Sequence, residues 1–229
     1  TKKPKKKGIV NSEQNPVAPP SHSYDGLTAV ELYKKAYALW DGEKYTNAEK
    51  ALEYLSNAIK LQPNFADAYN LRGNAYQNLG QYQRAIEDYN EALRLKSDYI
   101  FYFNRGRACL NIGQYERAIE DLNEVIRLQP NFALGYINRA YIYTILGQYE
   151  RAIKDNGEVI RLQPDSAKVS YYNIACLFAL QKDATQSCTW LQLAIERGFN
   201  DWKYIREDKD FDNIRKTECF INILKESEK

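Results

Sequence analysis

The sequence predicts an all-α chain, a solenoid of about five antiparallel helix pairs closed by a C-terminal helical cap. Three observations carry that expectation. A short string recurs as Gly80-Gln81-Tyr82, Gly113-Gln114-Tyr115 and Gly147-Gln148-Tyr149, and Arg-Ala-Ile follows each one residue later. The copies are offset by 33 and then 34 residues, a period typical of stacked helical units. Within each period the apolar and small residues fall at helical spacing on two faces, and a proline closes several of the second helices: Pro63, Pro130 and Pro164, where a missing N–H stops propagation.

Taken in order, residues 1–26 read as an extended arm. They carry Pro4, Pro16, Pro19 and Pro20, almost no apolar periodicity, and five lysines against Glu13 and Asp25. A chain starting at Thr1 without any methionine reads as a trimmed precursor or a piece of a longer protein. Residues 27–65 form a divergent first unit. Its second helix is marked by Ala51, Leu55 and Ala58, and its first helix sits about three residues out of register around Ala36. Residues 66–98 are the clearest unit, with Tyr69, Gly73 and Tyr76 on one helix and Ala85, Tyr89 and Ala92 on the next. Residues 99–132 and 133–166 repeat the pattern. Residues 167–198 keep Tyr171, Ala175, Leu191 and Ala194 but carry Lys182-Asp183 in place of the turn glycine. Residues 199–229 break the pattern and read as capping helices. Asp201 caps a short one with Trp202 and Ile205; Asp210 or Asp212 opens a last one with Ile214, Phe220, Ile223 and Leu224.

These residues resemble the tetratricopeptide (TPR) signature, with Tyr69 standing where a tryptophan is usual and Gly73, Tyr76, Ala85, Tyr89 and Ala92 following in phase. The resemblance implies a right-handed superhelix whose first helices line a concave groove. Carried over position by position, it places Asn70 and Asn74 in the groove from the second unit. Phe103, Asn104 and Arg107 follow from the third, Ile137, Asn138 and Tyr141 from the fourth, and Tyr172 and Asn173 from the fifth. Positions beside these include Leu134 and Ile145. Asn104, Asn138 and Asn173 recur at one position, and an amide can pair with any extended peptide backbone. The alternatives are that these asparagines are solvated or bonded to a neighbouring helix, and that the apolar positions pack against residues 199–229 or shift inward with superhelical twist. The Lys/Asn pattern of the clamp that grips acidic chaperone tails is missing, so such a tail is not the expected ligand.

Function classes narrow accordingly. Net charge is +2, of which the arm holds +3; a near-neutral body is not that of a nucleic-acid binder. No stretch approaches the ~18 to 20 apolar residues of a membrane helix. The single histidine, His22, lies in the arm, which removes histidine-based catalysis and metal ligation from the repeats. No catalytic residue, metal site or cofactor is expected. Cys109, Cys176, Cys188 and Cys219 read as free thiols packed as small hydrophobes, or with Cys176 and Cys188 bridged. Glu87-Asp88 and Glu120-Asp121 read as a solvated helix face. Asn156 and Gly157 stand at a core position and its neighbour in the fourth unit, where they make either a soft spot in the helix or a contact site that trades packing for access. The expected function is a non-catalytic scaffold that docks a protein or peptide partner. The alternative is the regulatory region of a larger enzyme or membrane-anchored protein, and the compartment is open.

Overall fold

The computed structural model describes Tyr24, residues 26–42 and residues 44–226. The basic arm expected over residues 1–26 lies outside these apart from Tyr24 and Gly26. Tyr24 packs against the first unit, edge-on to Tyr54 at 5.5 Å and bonded to Glu53.

Among the described residues five antiparallel pairs run in chain order. They are α1 (Ala29–Tyr37) with α2 (Ala48–Leu61), α3 (Ala66–Asn78) with α4 (Tyr82–Leu95), α5 (Tyr99–Asn111) with α6 (Tyr115–Leu128), α7 (Ala133–Ile145) with α8 (Tyr149–Leu162), and α9 (Lys168–Leu180) with α10 (Ala184–Glu196). The cap follows as α11 (Trp202–Glu207), a 3-10 turn at Lys209–Phe211, and α12 (Glu218–Glu226). No sheet forms among the described residues; an isolated bridge joins Trp40 to Tyr45. The chain is an all-α helical solenoid. Each of α2, α4, α6 and α8 packs on the first helix of the next pair as well as on its own partner, and α10 packs on α12.

The recurring glycine has a backbone reason. Gly80, Gly113 and Gly147 all adopt positive φ, between 68° and 74°. At the first of them Gln81 N–H reaches Tyr76 C=O at 2.9 Å and Gly80 N–H reaches Gln77 C=O at 3.0 Å. That is the paired closure of a Schellman end, which needs a left-handed residue. Lys182 holds the same bonds, with Asp183 N–H on Phe178 C=O, and accepts φ 65° despite its side chain. The register slip in the first unit also resolves: residues 38–42 and 44–47 belong to a connection between α1 and α2 that is longer than the three-residue turns of the later units. Tyr45 anchors it to α3, its hydroxyl on Leu71 C=O and its N–H on the Asn78 amide oxygen at 2.7 Å.

Small residues set the helix spacing. Gly73 lies so close to the Tyr89 ring that a Cβ there would sit 2.6 Å from it. Ala85, Ala118 and Ala152 are fully buried on the facing helices.

One expectation fails. Asp88 and Asp121 are not on a solvated face: together with Asp155 they are buried, each gripped by an arginine of its own first helix. Arg72, Arg105 and Arg139 each chelate their aspartate through Nε and Nη2 at 2.6 to 2.9 Å. The third nitrogen, Nη1, reaches back to the preceding unit, to Ser56, Asn90 and Asn123 in turn. Charge at this position therefore ties unit to unit. In the last pair Ile174 and Trp190 occupy the equivalent places, and Gly157 stands where a relay residue would have no arginine to receive.

The last helix also opens later than expected. Asp201 caps α11 as read, but Asp208 opens the 3-10 turn, and α12 begins only at Glu218.

Candidate functional site

In this stack α3 touches α5 and α5 touches α7, whereas second helices make no contact of that strength with one another. Helices crowd on the inside of a curved stack, so the first helices form its inner layer.

Along that layer the surface changes character. On α3, Asn70 is buried and its amide oxygen accepts from Asn104 Nδ2 of α5 at 2.9 Å. Asn74 accepts from the Tyr89 hydroxyl at 2.7 Å. On α5, Phe103 is buried, edge-on to Phe132 at 5.1 Å, and the exposed Arg107 lies over its ring. On α7, Leu134, Ile137, Tyr141 and Ile145 all face outward, Tyr141 being 58% exposed. Their spacing of three, four and four residues makes one continuous stripe, about 16 Å long at 1.5 Å rise per residue.

The three asparagines have different hydrogen-bond partners. Asn104 commits an N–H to Asn70, Asn138 to the Leu134 carbonyl of its own helix at 2.8 Å, and Asn173 reaches the Asn156 amide oxygen at 3.5 Å. Asn156 is itself buried, with its N–H on Ala152 C=O, so the polar residue in the core of the fourth unit has partners.

At α9 the inner face is closed. Tyr172 is buried, stacked on Phe199 at 4.2 Å and flanked by Tyr204 and Phe211. Its hydroxyl donates to Asp208 Oδ2 at 2.6 Å. Burial, with Cys176 and Asp208 beside it, raises the phenol well above its ordinary pKa. Burial also raises the Cys176 thiol, and Asp208 and Asp210 add to it; the thiol stays protonated and inert. A sulfur from Cys176 and one carboxylate oxygen each from Asp208 and Asp210 lie within 4.8 Å of one another. A reading confined to histidines and paired cysteines passes over this trio, because the cap brings the aspartates in from more than thirty residues away.

The cysteines correct the sequence reading. Cys188 of α10 is bonded to Cys219 of α12, with Cα atoms 6.1 Å apart, while Cys109 and Cys176 are free and buried. No repeat pattern encodes this bridge, since it depends on α12 folding back onto α10.

Of the residues expected in a groove, Asn104 and Arg107 lie on α5, and Ile137, Asn138 and Tyr141 on α7. Asn70, Phe103 and Tyr172 are taken up by packing. Leu134 and Ile145 complete the stripe; the signal for them was their position on the same helix face. No helix among the described residues is long and apolar enough to cross a membrane.

Comparison with known proteins agrees with this geometry. Residues 66–99 and 100–132 match the tetratricopeptide repeat, residues 47–80 match a TPR repeat, and residues 122–154 match a further tetratricopeptide repeat. A 62-residue stretch is 32% identical to a chloroplast protein of Arabidopsis thaliana, covering 27% of this chain and 18% of that protein. The chain thus spans about a fifth of the length of that relative. Among solved structures, MamA of Desulfovibrio magneticus RS-1 aligns with a TM-score of 0.67 at 22% identity, over 74% of this chain and 94% of its own. YrrB, described as a TPR protein with an unusual peptide-binding site, aligns at 0.66 and 20%, over 76% and 88%. A tetratricopeptide repeat protein of Parabacteroides merdae aligns at 0.69 and 19%, over 87% and 77%. At these identities the likeness is one of fold.

Proposed function

This chain belongs to the tetratricopeptide-repeat family, and from that premise we propose that it is a non-catalytic scaffold docking a protein or peptide segment on its inner face at α5 and α7. The observation that carries the reading is the outward apolar stripe Leu134, Ile137, Tyr141 and Ile145. A row of exposed apolar side chains rimmed by polar ones marks a surface that another molecule covers. The partner segment lays apolar side chains along the stripe, and these contacts set its sequence preference. Asn104 and Asn138, each with hydrogen-bonding capacity left over, pair with its backbone, and Arg107 borders the site with a positive charge. The description of YrrB as peptide-binding makes such a ligand reasonable for the fold.

The test is a pull-down with mass-spectrometric identification of the captured partner, followed by titration against three forms of the full chain. Ile137→Ser/Tyr141→Ala should lose the partner at least tenfold while keeping its thermal midpoint, since both side chains are already exposed. Asn138→Ala should weaken binding by roughly 0.5 to 1.5 kcal/mol per net hydrogen bond. Glu87→Lys, on the exposed side of α4, should leave binding intact. Loss on the outer face with retention on α7 would make the protein a spacer gripped from outside.

A second reading has one observation behind it. The matched part of the chloroplast relative is a small share of that protein, so repeats of this kind occur within longer chains, and the stack would then be the docking region of a larger protein.

A further inference from the structure

The cap sits on the inner face where the apolar stripe would otherwise continue. Tyr172, Cys176 and Ala179 on α9 correspond to Ile137, Tyr141 and Thr144 on α7, and they are buried where the α7 residues are exposed or half-exposed. What covers them is the segment from Phe199 to Phe211, through the Phe199 stack and the Asp208 hydrogen bond, with the Asn213 side chain on Ala179 C=O at 3.3 Å. The segment is held at both ends: α10 precedes it without interruption, and α12 behind it is bonded through Cys219 to Cys188 of α10. Swinging the whole cap off the inner face carries α12 away from α10, which the disulfide opposes.

We propose that the Cys188–Cys219 bridge is a redox latch on the inner face: reducing it lets the cap open and extends the docking surface from α7 onto α9. This deepens the scaffold reading, whose groove it regulates. Cys219 is half-buried and Cys188 buried, so a dithiol reductant attacks Cys219 Sγ. The S–S bond breaks, Cys188 departs as thiolate and takes a proton, and a mixed disulfide with Cys219 remains. The reductant's second thiolate displaces Cys219, which is released as a thiol, and the reductant becomes the disulfide; two electrons and two protons have passed to the protein. Ile205, Phe211, Ile214 and Phe220, all fully buried, still favour the closed cap. Reduction therefore raises the frequency of opening rather than expelling the cap. The bridged residues are 31 apart, and the chain-entropy relation for a loop of that size gives roughly a 500-fold change in the opening equilibrium.

The experiment compares the oxidised full chain, the same chain in excess dithiothreitol, and the Cys188→Ser/Cys219→Ser variant. Amide hydrogen exchange should show protection in α11 and α12 falling by roughly 500-fold in both bridge-free forms, with α3 to α8 unchanged. Iodoacetamide should then label Cys176 beneath the cap while Cys109, buried in the middle of the stack, stays silent as an internal control. Unchanged protection in α11 and α12 would overturn the latch. So would equal loss along the whole solenoid with both cysteines labelled, the signature of a bridge that only stabilises the fold. Neither readout uses a partner, so failure of the latch and failure of the groove remain distinguishable.

Discussion

Replacing Asp121 by alanine removes the acceptor at the centre of the repeated charge network. Asp121 is 2% exposed and its carboxylate takes Arg105 Nε at 2.9 Å and Nη2 at 2.6 Å, while Arg105 keeps Asn90 at 2.8 Å. Breaking a buried pair from one side costs roughly 3 to 5 kcal/mol, because the surviving charge is stranded. The Arg105 side chain is 18% exposed and retains Asn90, which places the loss near the lower end, at about 3 kcal/mol. For a chain of this size that lowers the thermal midpoint by about 6 to 12 °C. Burial, the larger influence, raises the Asp121 carboxyl above its ordinary pKa although Arg105 pulls the other way, so desolvation consumes much of the attraction. The double replacement Arg105→Leu/Asp121→Leu should consequently fall within about 1 kcal/mol of the parent. The fifth pair already carries an apolar solution at these places, in Ile174 and Trp190. Urea unfolding followed by far-UV circular dichroism, reporting midpoint and slope, decides the matter. Slopes are needed because a repeat array can lose cooperativity. A double variant as unstable as Asp121→Ala would refute the reasoning, and so would a single variant costing less than about 1 kcal/mol.

Two further perturbations test the backbone arguments. Gly73→Ala should destabilise by about 1 to 2 kcal/mol in the same assay: a Cβ 2.6 Å from the Tyr89 ring forces apart a packed contact worth roughly 1 to 3 kcal/mol, partly offset by better helix propensity. Gly106→Ala, whose nearest neighbours lie at 3.2 and 3.4 Å, should cost less, and the reverse order would refute the packing account. Lys182→Gly should raise stability by about 1 kcal/mol, since the left-handed φ of 65° penalises a side chain and not glycine; a lowered midpoint would mean the lysine side chain makes a contact that matters more.

The repeat itself was legible from the sequence because stacked units solve the same local problem several times. A left-handed closure demands glycine at 80, 113 and 147, and close helix approach demands Gly73, Ala85, Ala118 and Ala152, so local constraints reappear as strings. The stripe on α7 was legible for the same reason, since residues three and four apart share a helix face whatever surrounds them. Asp88 and Asp121 were misread, because helical phase alone does not say that an arginine sixteen residues upstream will meet each carboxylate. Burial of Tyr172, the trio Cys176–Asp208–Asp210 and the bridge from Cys188 to Cys219 lie further beyond the reach of pattern. Each is made once, by a cap that belongs to no repeat, across more than thirty residues of chain. Periodicity records what a chain must do in every unit; the end of the stack, where the last first-helix has no successor to bury it, is closed by contacts that only the folded cap supplies.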